Sequence, residues 1–210
     1  MDDTAFDTAL IAAAFTAAAA NGWPAVSVAG SAADAELDIT RARARFAGRD
    51  AILMRFGRLA DAQALAGIIT DGTARDRLFD ILMRRFDALQ THRPGILALL
   101  QALPANPALA LLLAAATNTS MAAMLEGAGL PSTGLHGILR TKGLTAAWFY
   151  TLRAWEKDDS ADLSGTMAAL DRALAQAERF GQYLERSPAA PPAPKPFPDD
   201  PASEPAPTAA

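Results

Sequence analysis

The chain has 210 residues, 51% of them hydrophobic and 7% aromatic, with a formal net charge of −4. That is enough apolar material for a large aliphatic core, and the charge is not the global signature of a nucleic-acid binder, although a local basic patch can suffice. There is no cysteine, which excludes disulfides, zinc-thiolate sites and thiol nucleophiles. The only histidines are His92 and His136, too few for a histidine metal site without carboxylate help.

The start, MDDTAFDTAL, is acidic and lacks the basic residues of a signal peptide. The most apolar run, Ala108 to Ala116, is shorter than a bilayer span and is followed at once by Thr117, Asn118, Thr119 and Ser120. These features predict a cytoplasmic protein without a transmembrane segment.

Residues 4–20 place Leu10, Ala13, Ala14, Ala17 and Ala18 at helical spacing. Asp3 or Thr4 can cap the start, and Asn21-Gly22 can end it. Trp23-Pro24 forms a corner. Ser27 can cap a second helix to about Ala35, Asp38 a third to about Phe46, and Asp50 a fourth carrying Ile52, Leu53, Phe56 and Leu59 on one face. Thr73 caps a fifth, with Leu78, Leu82, Phe86 and Leu89 as its core stripe. Its opposite face, Arg75, Asp76, Arg77, Asp80, Arg84, Arg85 and Asp87, reads as solvated, with internal ion pairs.

Pro94 begins a helix to Leu103, and Pro107 fits the first position of the next. That next helix is apolar nearly all round in its first half, as central helices are. Helices from Leu135 to Lys157 and from the Asp158–Asp162 break to about Leu184 follow. The last carries Met167, Leu170, Leu174 and Ala177 near heptad spacing. Residues 187–210 hold nine prolines and read as a disordered, partly polyproline tail. No stretch shows the period-two alternation of strands, so the chain is expected to be all-helical.

Helix, short helix, tight turn, helix, then a long connecting helix is the helix-turn-helix plan. Asn21-Gly22-Trp23 closes the first helix, and Val26-Ser27 with Val28-Ala29 opens the second. Phe46 ends the third, and Ala47-Gly48-Arg49 with Asp50 leads into the fourth. On these residues the segment resembles the TetR family of bacterial transcriptional regulators. The resemblance implies a dimeric regulator with a DNA-binding part over 1–49 and a ligand-binding and dimerisation part over 50–186. It implies an operator-DNA partner and an apolar small ligand.

The DNA-facing residues would be Ser27, Thr40, Arg41, Arg43, Arg45 and Arg49. Arginine is the commonest bidentate reader of guanine, and a helix N-terminus suits phosphate. This chain departs from the family pattern in two places. Glu36-Leu37 stands where the turn has Gly-Val, which implies a modified turn. Thr40-Arg41-Ala42-Arg43 stands where the recognition helix has Gly-Thr-Leu-Tyr. The bland reading pairs the arginines with Asp34, Glu36 and Asp38. Residues 1–60 hold six arginines and seven acids, so binding would have to rest on the placement of charge.

A second resemblance rests on Trp155, Asp158-Asp159-Ser160, Asp162, Thr166 and Leu170-Asp171-Arg172, with Leu37-Asp38, Ala42-Arg43 and Phe46 near the start. These look like the coenzyme Q biosynthesis lipid-binding family, which shares the TetR-like fold, has lost DNA recognition and binds isoprenoid lipid. That family ends in an amphipathic membrane-binding helix, where this chain has its proline-rich segment. The resemblance implies the alternative of a lipid-binding accessory protein of ubiquinone biosynthesis.

Either way an apolar pocket is expected, lined by Phe86, Leu97, Leu100, Leu113, Asn118, Met121, Met124, Leu125, Trp148 and Leu152, with Thr117, Asn118 and Ser120 available to orient a head group. The family analogy places a dimer interface at Ala147, Met167, Leu170, Leu174 and Ala177. No phosphate loop, nucleophile or metal-ligand spacing appears, so neither an enzyme nor a cofactor is expected. Asp158 and Asp159 read as helix-capping residues.

Overall fold

The computed structural model describes residues 1–67 and 71–186, with side chains through Arg179. The expectation for the proline-rich segment lies outside these residues. The described chain is helical without strands. Its helices are α1 Asp3–Asn21, α2 Val28–Asp34, α3 Ile39–Arg45, α4 Arg49–Leu65, α5 Ala74–Gln90, α6 Arg93–Ala102, α7 Pro107–Gly127, α8 Gly134–Trp155 and α9 Ser164–Arg186. Short 3-10 turns at Trp23–Ala25 and Leu103–Ala105 make the two proline corners.

Capping residues set most of these boundaries. The Ser27 hydroxyl accepts from Gly30 N at 3.0 Å, and Asp38 accepts from Arg41 N at 2.5 Å. Thr73 and Asp76 cap each other reciprocally. Two expected caps differ. Asp2, rather than Asp3 or Thr4, caps α1, accepting from Ala5 N at 2.7 Å. Asp50 lies inside the first turn of α4, whose N-cap is Gly48; an acid there favours the positive end of the helix dipole without making the cap.

The turn between α2 and α3 keeps its left-handed step. Glu36 itself takes φ 54°, and Leu37 N donates to Ala32 O at 2.8 Å. The modified turn implied by Glu36 is therefore absent: the residue accepts the conformation at an energetic cost. Glu36→Gly is expected to stabilise the protein by about 0.5–1 kcal/mol, read as a higher urea midpoint with an unchanged slope.

Helices α1, α2 and α3 pack together, and α1 lies across α6. Phe6, Leu10, Phe15, Trp23 and Ile52 fill this end of the core. Phe15 stacks on His92 at 5.1 Å and meets Phe56 edge-on at 4.8 Å. His92 is thus a packing residue, and burial lowers its pKa. At the other end α8 lies along α9, and α5 packs on both α4 and α9.

The charged face of α5 is solvated only in part: Asp76 and Asp87 are exposed and Arg84 pairs with Asp80 within the helix, but other residues of the face reach across to neighbouring elements. Arg75 pairs with Asp171 of α9 at 2.7 Å, and Arg77 donates to Ala128 O at 2.9 Å. Arg84 bonds the carbonyls that end α4, and Arg85 is only 7% exposed. Nor is the first half of α7 central: Leu111 is 73% and Leu112 41% exposed, whereas Ser120, Met121, Met124 and Leu125 of the second half are buried.

The polar run expected to end that apolar stretch continues the helix, with Thr119 Oγ1 donating back to Ala115 O at 3.2 Å. As a result α7 is, by length and a mean hydropathy of 1.6, long and apolar enough to cross a membrane, with 28% of that window buried. A partly exposed apolar helix of a globular fold passes the same test.

Asp158 ties the loop after α8 to the start of α9. Its carboxylate accepts from Ser160 Oγ at 2.5 Å, Thr166 N at 2.6 Å and Thr166 Oγ1 at 2.8 Å. These bonds lower its pKa to about 2. The unfolded value is about 3.9, so the stabilisation is complete above about pH 4 and lost as the pH falls through 2. After discounting for partial exposure, Asp158→Ala is expected to cost about 1–2 kcal/mol at pH 7 and almost nothing at pH 2. Paired urea titrations at the two pH values check this.

Candidate functional site

Two regions carry the residues singled out in the sequence: the outer face of α3 and a cavity among α4 to α8. On α3, Ala42 is buried, while Thr40, Arg43 and Ala44 are exposed. The arginines separate by position. Arg41 pairs with Asp3 at 2.5 Å and lies over the Phe6 ring at 4.3 Å. Arg45 pairs with Asp3 at 2.7 Å and with Asp7 at 2.9 Å. Arg49 donates to Pro24 O at 2.6 Å.

Among the described residues, Arg43 alone of the α3 arginines has no hydrogen bond or ion pair. The expected pairing with Asp34, Glu36 and Asp38 is therefore not the one formed. The partners come from α1, about 38 residues away in the chain. Helical periodicity within one segment does not reveal such partners.

Asp7 is the centre of this cluster. It is fully buried, and Arg55 of α4 reaches its other oxygen at 2.7 Å. Burial raises its pKa, but the hydrogen bonds and charges of Arg45 and Arg55 outweigh burial and leave it lowered. One carboxylate thus joins α1, α3 and α4. Sequence reading missed it, because an acid in the second turn of an alanine-rich helix resembles any solvated residue.

The cavity has a volume of about 390 Å³, is partly open to solvent and is lined mainly by apolar side chains of α4, α5, α6, α7 and α8. Of the expected lining, Leu100, Leu113, Trp148 and Leu152 face it. Phe86, Met121, Met124 and Leu125 do not, being fully packed core residues; Phe86 stacks on Trp148 at 4.4 Å. Leu97 packs against the core outside the lining, and Asn118 is also outside it, with its Oδ1 buried and unpartnered. Thr117 and Ser120 are on the wall. The wall that the sequence did not reveal is α4, with Leu53, Met54, Phe56, Gly57, Arg58 and Asp61.

One polar cluster interrupts this wall. Arg85 Nε donates to Asp61 at 2.8 Å, and the Ser120 hydroxyl donates to the other Asp61 oxygen at 2.5 Å. The Arg85 guanidinium lies 4.5 Å from the Trp148 ring centroid. Burial lowers the Arg85 pKa, and Asp61 offsets part of that; a guanidinium stays protonated regardless.

The expected interface residues are placed differently. Ala147, Leu170 and Leu174 are buried within the chain, where α8 meets α9, so they cannot face a partner. Met167 and Ala177 are half-buried. The apolar side chains left open on α8 are Leu135, Ile138, Leu139, Phe149 and Tyr150. Residues 135, 139, 142, 146 and 150 fall on one face at helical spacing.

No protein-family model and no curated protein matches the chain. Solved structures do. The crystal structure of the TetR transcriptional regulator from Nitrosomonas europaea ATCC 19718 superposes with a TM-score of 0.68 at 22% identity, over 83% of this chain and 99% of that one. The fold is TetR-like. The crystal structure of a TetR-family transcriptional regulator from Streptomyces coelicolor is more distant, with a TM-score of 0.53 at 19% identity over 86% and 89% of the two chains. Within the TetR-like fold, α2, the Glu36 turn and α3 are the helix-turn-helix, and α4 connects it to the cavity.

Proposed function

We propose that the chain is a ligand-responsive transcriptional regulator of the TetR type, in which an apolar molecule in the cavity sets the position of the N-terminal helices on operator DNA. One observation carries this reading: α4 belongs to both regions. Its N-terminal half is tied to α1 and α3 through Arg55 and Asp7, and Leu53, Phe56, Ala60 and Asp61 form a cavity wall. A ligand pressing on that wall moves the segment that holds α3. A ligand shifts such an equilibrium only by its differential affinity for the two positions. A homodimer would present two α3 helices to a palindromic site, with the open face of α8 as the surface for the partner.

DNA contact would fall to Arg43 and Thr40, with Arg49 and the Ser27 end of α2 at phosphates. The test is fluorescence anisotropy with DNA from upstream of the protein's own gene and a scrambled duplex, at two salt concentrations. The reading expects a preference for the native duplex. It also expects Arg43→Ala to lose about tenfold in affinity, as for one good base or phosphate contact.

The pairing of Arg41 and Arg45 with Asp3 and Asp7 favours a second reading. Two of the three α3 arginines are neutralised from within, as suits a helix-turn-helix that no longer reads DNA. The protein would then be a lipid-binding accessory of ubiquinone biosynthesis. Equal, weak binding to both duplexes, unchanged by Arg43→Ala, would rule out the regulator.

A further inference from the structure

The cavity wall is mainly apolar; apart from the exposed Arg58 and Thr119 and the half-buried Thr117, its polar groups are Arg85, Asp61 and Ser120, and the hydrogen bonding there is incomplete on one side only. Both Asp61 oxygens are engaged, one by Arg85 Nε and one by Ser120 Oγ. The two terminal nitrogens of Arg85 have no hydrogen-bond partner among the described residues. They are not sealed into the core, because no Arg85 atom is among the buried polar atoms lacking a partner, and Arg85 itself lines the cavity. Trp148 fixes the guanidinium plane from one side. The cavity wall thus presents N–H donors with nothing to accept them.

At the buried part of the wall the Arg85 charge is already balanced by Asp61, and the other cation of the lining, Arg58, is exposed to solvent. An anionic head group placed at Arg85 would add an unbalanced negative charge beside Asp61 against a mainly apolar wall, which is penalised. A neutral oxygen acceptor satisfies the free N–H groups and adds no charge. We infer that the cavity takes a neutral amphiphile whose carbonyl-type oxygen accepts from the terminal nitrogens of Arg85, with its hydrocarbon part along the Leu100, Leu113 and Leu152 wall. This rests on the apolar-ligand reading above and gives the ligand a chemical class and a direction.

Displacement of the fluorescent probe N-phenyl-1-naphthylamine from the full chain tests it, with octane, 2-octanone and octanoate as competitors. Two variants are compared with the parent. Arg85→Met combined with Asp61→Leu removes the pair together, which avoids stranding a buried charge. Arg85→Lys keeps the charge and removes the planar fork. The expected result is that 2-octanone loses about tenfold in affinity in both variants while octane is unchanged, and that octanoate is the weakest competitor with the parent.

A measurement on the parent protein alone covers the case in which a variant fails to fold. The infrared carbonyl stretch of bound, carbonyl-labelled 2-octanone should lie below its value in hexane, as for a hydrogen-bonded ketone. A hexane-like stretch, a 2-octanone affinity indifferent to Arg85, or octanoate as the tightest ligand would overturn the inference while leaving an apolar cavity in place. If neither the probe nor any competitor binds, the apolar-ligand reading fails and this inference with it.

Discussion

Gly95→Val is expected to produce the largest loss of stability of any single change considered for this protein. A Cβ at Gly95 would lie 2.3 Å from the Phe15 carbonyl oxygen and 2.8 Å from its carbon. The obstacle is backbone, which cannot swing away as a side chain can. Helices α1 and α6 therefore meet at a distance that only glycine allows, and that crossing seats Phe15 against Trp23, Phe56 and His92.

Even Gly95→Ala should cost about 2–3 kcal/mol through overpacking, although alanine is favoured over glycine within a helix by about 1 kcal/mol. The valine variant should exceed that, with a fall in melting temperature of about 6–12 °C or more for a chain of this size. Urea unfolding followed by circular dichroism reads both. As a control, Gly57→Ala lies inside α4, where an added Cβ meets nothing within 4 Å. It should be neutral or stabilising by up to about 1 kcal/mol.

Asp7→Ala should have the second largest effect, and it reaches into function. Removing the carboxylate leaves Arg45 and Arg55 without their shared partner. Loss of one member of a fully buried pair costs about 3–5 kcal/mol. Here the two arginine side chains keep 29% and 28% of their exposure, so water replaces part of the loss and about 2 kcal/mol is expected.

The pH dependence has a definite sign. The folded pKa of Asp7 is lowered, so its contribution is present above the unfolded value of about 3.9 and disappears as the pH falls through the folded one. The difference between parent and Asp7→Ala should therefore be full at pH 7 and shrink in acid. The same variant frees Arg45. A free cation beside Arg43 should raise salt-dependent affinity for any duplex, steepening the salt slope by about one unit. An unchanged slope would mean that α3 does not approach DNA.

What could be read in the sequence follows from how local each signal is. The caps at Ser27, Asp38 and Thr73 act over three residues, and a reader of one segment sees both partners. The residues from Val26 to Asp50 carry the resemblance to a helix-turn-helix, and the absence of period-two alternation along the chain indicates an all-helical protein. Glu36 was harder, because a glutamate pays for a left-handed φ out of the surrounding packing rather than avoiding it. Arg85 was misplaced for a different reason. Its neighbours Arg84 and Asp87 are charged, so the α5 pattern looked like one solvated face. Its true partners, Asp61 and Ser120, come from α4 and α7. The first half of α7 shows the limit of apolar periodicity, which cannot distinguish a helix covered by its own chain from one left open. The same limit put Phe86, Met121 and Met124 in the cavity lining, although they belong to the core beside it.

The central claim is that the space between α4 and α8 holds an apolar ligand. Native mass spectrometry of freshly purified protein under gentle conditions tests it most directly, with Leu100→Trp as a cavity-filling comparison. The account predicts a bound mass of a few hundred daltons on the parent that is diminished or absent in the variant, and that is released with organic solvent as an apolar compound. A parent protein found only at its polypeptide mass, which also takes up no neutral apolar probe on incubation, would contradict the claim.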